Sequence, residues 1–168
     1  MKGFTFIELM ISISIMLSLL LLSFPFYTSI NKQLTIDRAV ARLVQDIRKA
    51  IEMTMSAQNF NSDYPDGGYG IYFPSVLPDK YYLFADSNNN RMYDTGELVE
   101  QVDIEGKVQI TNRATGFDNV TFLAPEPLVL FNDSSGTGTG ESEAFVVFSD
   151  GSSSYQIYIN KVGLVYIP

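Results

Sequence analysis

The chain has 168 residues, which suits one compact domain plus one extra long element. With 46% hydrophobic residues, 18% charged residues, 10 Tyr and 12 Phe it has the means to build a core, and wholesale disorder is excluded. A net charge of −8 opposes tight binding to a polyphosphate backbone, and the lack of Cys and His removes disulfides, thiol nucleophiles, imidazole ligands and the usual general base, which excludes zinc and Ser-His-Asp chemistry.

From Phe4 to Phe26 the chain is apolar apart from Glu8, a run long enough to cross a bilayer as a helix. No small-x-small site follows the run, since the next residues are Ser-Phe-Pro-Phe-Tyr, so the run is expected to be retained and not cleaved off as an ordinary signal peptide. Lys2-Gly3-Phe4-Thr5-Phe6-Ile7-Glu8-Leu9 resembles the prepilin signature of the type IV pilin and type II secretion pseudopilin family. The resemblance implies that a prepilin peptidase cuts between Gly3 and Phe4 and methylates the new amine, which makes residues 1–3 a leader. It also matches Pro25 to the helix proline common in that family, and such a proline removes one backbone donor and loosens the turn before it.

Glu8 is a carboxylate in a hydrocarbon run, which is costly unless it meets a partner. The resemblance implies that this partner is the Phe4 amine of a neighbouring subunit; hydration at interface depth is the other reading. Only Lys2 is basic before the run, whereas Lys32, Arg38, Arg42, Arg48 and Lys49 follow it, so the positive-inside rule does not support an inward N-terminus. That orientation comes from the resemblance alone. It implies an inner-membrane anchor at residues 4–27, a globular domain outside the cytoplasm, and then a filament.

Ile30, Leu34, Val40, Leu43, Val44, Ile47, Ile51 and Met55 recur at three- and four-residue steps between charged residues, which predicts an amphipathic helix over 28–57. Continued from the membrane run, it would make a stem of roughly 80 Å at about 1.5 Å per residue. The segment from Asp37 to Ser56 also resembles the minor pseudopilin H and FimT-like branch. Turn residues from Asn59 to Gly68 are expected to end the helix. The remainder, 58–168, reads as short strands at Tyr69–Phe73, Tyr81–Ala85, Leu98–Ile104, Val108–Thr111, Val120–Leu123, Leu128–Phe131, Ala144–Phe148, Tyr155–Asn160 and Leu164–Ile167, the last pair forming a hairpin. The expected fold class is α+β and pilin-like, a long N-terminal helix packed on an antiparallel β-sheet domain.

Asp86, Asn88, Asn90, Asp94 and Glu97 fall at the oxygen-ligand spacing of an EF-hand-type calcium loop, with the Met92 carbonyl at the backbone-ligand position. Arg91 stands where that loop needs Gly for its sharp turn, and strands flank it, so an acidic Asn-rich turn is the competing reading. The stretch Asn132–Ser142 has no apolar anchor and reads as an exposed loop, a passive spacer.

Function is therefore expected to lie in assembly and not in catalysis: a minor pilin or pseudopilin of a type IV pilus or type II secretion filament, with other pilin subunits, prepilin peptidase and an inner-membrane assembly platform as partners. A major pilin is the alternative within that class. A membrane-anchored module that captures DNA is the alternative outside it, and the charges oppose it, because Lys161 is the only basic residue after Arg113. The carboxylate pairs Asp94/Glu97 and Glu141/Glu143 lie in polar loops and suggest no enzyme.

Overall fold

A computed structural model describes residues 3–76, 78–113, 116–125 and 128–168, with the side chains of 23–29 outside the described set. Helix α1 runs from Phe6 to Met55. It contributes to two compact units, Met1–Leu34 and Thr35–Pro168.

In the second unit, Ile36, Val40, Leu43, Ile47, Ala50 and Met53 form the buried stripe of α1, at the three- and four-residue steps of one helix face. Ile30, Leu34 and Met55, expected on that stripe, are exposed, and Ile36, Ala50 and Met53 take their place. Ala50 is wholly buried in that stripe. The helix ends two residues before the expected Ala57, and it ends without glycine. Ala57 adopts φ +49°, Gln58 N–H donates to Met53 O and Ala57 N–H to Thr54 O, the two bonds of a Schellman motif.

Nine strands follow among the described residues, each overlapping an expected run: β1 Tyr69–Tyr72, β2 Lys80–Ala85, β3 Leu98–Asp103, β4 Gln109–Arg113, β5 Asn119–Leu123, β6 Leu128–Asn132, β7 Glu143–Ser149, β8 Ser154–Asn160 and β9 Val165–Tyr166. They form two antiparallel sheets, ordered β3-β2-β1-β5-β6 and β4-β7-β8-β9. β4 pairs with the distant β7, Ile110 opposite Phe148, and not with its sequence neighbour β3. The inward residues of both sheets, among them Ile71, Leu83, Val120, Phe122, Phe148 and Ile157, join the α1 stripe in one core. Each such side chain stabilises the fold by about 1.5–3 kcal/mol relative to exposure.

Polar contacts fix the helix on the sheet. Tyr81 in β2 donates its hydroxyl to the buried Asp46 carboxylate at 2.6 Å. Glu100 in β3 accepts from Arg42 at 2.9 Å and from Lys49 at 2.6 Å. Between the sheets, the Arg113 guanidinium of β4 donates to Phe73 O, to Asp118 and to Ser75.

The sheets' outer edges differ. Along β6, Val129 N–H donates to Lys161 O and Phe131 O accepts from Thr139 N–H, so neighbouring loops cover that edge. β4 is bonded on its flank by Ile110 N–H to Pro78 O, and β9 is two residues long.

Candidate functional site

In the first unit, Gly3 and Phe4 precede the helix, non-helical and exposed, with Phe4 90% accessible. Thr5 is the N-cap. Its hydroxyl accepts from Glu8 N–H at 3.3 Å, while Glu8 Oε2 accepts from both the Thr5 backbone N–H and the Thr5 hydroxyl, each at 2.8 Å. This is a reciprocal capping box, and it satisfies donors that the first helical turn otherwise leaves unpaired. The Thr5-x-x-Glu8 spacing was the signal for it in the sequence. The partner found for Glu8 is thus local, and both of its bonds fall on one oxygen; Oε1 accepts none among the described residues.

Ser12, Ser14 and Ser18 donate their hydroxyls to the carbonyls four residues earlier, Glu8, Met10 and Ser14, at 2.7–2.9 Å. These three polar side chains are therefore compatible with an apolar surrounding. The apolar side chains from Phe4 to Leu22 are exposed. Among the described residues no helix is long and apolar enough to cross a membrane. The expected span, residues 4–27, continues into residues 23–29, and the Pro25 side chain lies outside the described residues.

In the second unit, β2 and β3 deliver the loop from Asp86 to Glu97. Asp86 is wholly buried and Glu97 is 6% exposed. Asp86 Oδ1 accepts from Asn90 N–H at 3.1 Å and Oδ2 from Arg91 N–H at 2.9 Å. Glu97 Oε1 accepts from Ser87 N–H and Oε2 from Asp94 N–H. Burial pushes both carboxyls above their ordinary values, against the pull of these backbone donors, and the charge of Asp94 adds to the rise at Asp86 as that of Asp86 does at Glu97.

Arg91 takes φ +65° and Asn89 φ +56°. The loop thus makes at Arg91 the left-handed turn for which a glycine was wanted, at the cost of a side chain in that region. Met92 N–H donates to Asn90 Oδ1 and Asn90 N–H to Asn88 Oδ1. The amide nitrogens of Asn88 and Asn90 both donate to Asp94 Oδ2, at 2.9 and 2.6 Å. Among the described residues no group of three or more acidic side chains is arranged to hold a metal ion. A hard cation here would accordingly draw on amide and main-chain oxygens beside Asp86 and Glu97, a donor set that fits calcium in kind.

Residues outside the motif hold the loop in place. Tyr93 stacks on the cross-strand pair Tyr72 and Tyr82, 5.3 Å from each ring. Its N–H donates to Asn119 Oδ1, and Asn119 Nδ2 donates to Asp133 O, which ties the loop to the stretch Asn132–Ser142. That stretch is not featureless: Asp133 Oδ1 accepts from Ser135 and Thr137, and Gly136 lies against Asn90 O. No periodicity in the sequence signals this docking.

Neither a family model nor a curated protein matches the chain. Among solved structures, the type IV minor pilin FimU of Pseudomonas aeruginosa (strain PAO1) is similar, with a TM-score of 0.50 at 10% identity over 79% of this chain and 91% of that one. With a long N-terminal helix packed on antiparallel sheets, the chain has a type IV pilin-like fold.

Proposed function

We propose that the protein is a minor pilin or pseudopilin, a structural subunit of a type IV pilus-like or type II secretion filament. The observation that carries this reading is the run of exposed apolar side chains from Phe4 to Leu22, at the start of a chain with a pilin-like fold. Such a surface is sheltered either by lipid or by the same helices of neighbouring subunits, and a filament subunit uses both in turn. Prepilin peptidase cuts the accessible, non-helical Gly3–Phe4 bond, and an inner-membrane platform receives the product. Glu8 keeps its Thr5 cap through Oε2 and offers Oε1 to the Phe4 amine of the next subunit, so that two charges costly in hydrocarbon neutralise each other.

The N-terminal peptide of the chain, expressed with and without a prepilin peptidase, is the test. A mass starting at methylated Phe4 only in the presence of the peptidase supports the reading; an intact N-terminus under both conditions sinks it. Glu8→Ala is expected to be cut normally and to enter filaments poorly.

The second proposal is calcium in the loop Asp86–Glu97, favoured by the left-handed turn at Arg91 and by two buried carboxylates that a divalent cation would compensate. Asp86, Asn88, Asn90, Met92 O, Asp94 and Glu97 would supply the oxygens, and the ion would stabilise the domain outside the cell, where calcium is abundant.

A further inference from the structure

Beside β6, a pocket of about 200 Å³ opens between the chain at Asn132–Glu141 and Lys161. One polar atom of a lining residue, Oδ1 of the wholly buried Asn132, has no hydrogen-bond partner among the described residues. Asn132 lines the pocket, and its Oδ1 faces Gly138, whose missing side chain leaves only backbone, 3.8 Å from an added Cβ, on that side. An amide oxygen accepts and never donates, so this atom asks for a ligand hydroxyl or N–H.

The rim asks for the opposite. Arg91 and Lys161 flank the opening, both exposed, and neither makes an ion pair among the described residues. Against them stands one carboxylate, Glu141, already engaged in an interaction of its own. The rim thus carries a surplus positive charge in a chain of net charge −8. Phe131 supplies an apolar wall.

We propose that this pocket binds a small hydroxylated carboxylate of the sugar-acid class, such as a single uronic acid unit. The carboxylate meets Arg91 and Lys161, a hydroxyl donates to Asn132 Oδ1 as the glycine-flanked strip Gly138–Gly140 gives way, and the C–H face of the ring lies on Phe131. The volume suits one ring and not a drug-sized ligand. The site does not rest on the filament reading, and it shares Arg91 with the loop Asp86–Glu97.

The test is a titration of the full chain, in a sugar-free detergent, with glucuronate, glucose and acetate, followed by saturation-transfer NMR. Saturable glucuronate binding, at least tenfold tighter than glucose or acetate, is expected. Lys161→Ala and Arg91→Ala, both at exposed positions, should each weaken it about tenfold or more while leaving the melting temperature within a few degrees. No saturation by glucuronate overturns the proposal. Equal binding of glucose or of acetate overturns it as well, and so does glucuronate binding indifferent to both variants.

Discussion

Thr5 and Glu8 cap the helix for each other: the hydroxyl of one accepts the amide of the other, and the carboxylate takes both the Thr5 N–H and its hydroxyl at 2.8 Å. Thr5→Ala removes the hydroxyl that gives one bond and accepts another, whereas Thr5→Ser keeps it. Amide hydrogen exchange in micelles should therefore speed up at residues 6–9 in Thr5→Ala and stay close to wild type in Thr5→Ser. Equal exchange in all three proteins would show that the cap does not hold the first turn.

Tyr81→Phe leaves Asp46 buried without its 2.6 Å hydroxyl donor. Burial, followed by the bond to Asp46, pushes the Tyr81 hydroxyl far above its ordinary range, so it stays protonated and donating at any working pH. Loss of a hydrogen bond to a buried carboxylate costs about 1.5–3 kcal/mol. At about 2–4 °C per kcal/mol for a chain of this size, the melting temperature should fall by roughly 3–12 °C.

The acids pull in opposite directions with pH. Bonds from Lys49 and then the charge of Lys49 and Arg42 hold Glu100 below its ordinary value, so its contribution is present above the unfolded pKa and is lost as pH falls through the lower folded one. Asp86 and Glu97 are raised by burial, so the folded state binds more protons than the unfolded state, and stability declines as pH rises through their folded pKa values. Melting curves in EDTA should show that decline above the ordinary carboxylate range. Millimolar calcium should flatten it, with a gain at neutral pH that is absent in Asp86→Asn; curves indifferent to calcium would leave the loop an acidic turn.

Gly67 has no room for a side chain: an added Cβ would lie 2.1 Å from Asp86 Oδ2. Gly67→Ala must displace the loop's first carboxylate, at a cost of about 1–3 kcal/mol in overpacking. Gly136 is constrained twice, by φ +75° and by Asn90 O at 2.4 Å from an added Cβ. Gly136→Ala should undock Asn132–Ser142 from the Asp86–Glu97 loop, read as faster proteolysis between Asp133 and Ser142 with the core's near-UV signal retained.

Each strand was legible because short apolar or alternating runs lie between Gly, Pro, Asn and Ser clusters, and both signals are local. The division into two sheets was not, because the pairing of β4 with β7 joins residues such as Ile110 and Phe148 that nothing local connects. On α1 the period was legible and the ends of the stripe were not: Ile30 and Leu34 lie before the second unit begins at Thr35, and hydrophobicity alone does not say where the sheets stop. Spacing found the oxygen residues of the loop and missed Tyr93 and Asn119, whose roles rest on neighbours from β1, β2 and β5. The Arg91 objection was sound as a cost and did not prevent the turn, since the backbone bond to Asp86 holds it.

The loops along β6 close one edge of the larger sheet with the protein's own chain. On that side Lys161 O and Thr139 N–H already occupy the backbone groups of Val129 and Phe131 to which an outside strand would have to bond. Copies of the domain therefore cannot extend the larger sheet through β6 unless those loops first let go of it.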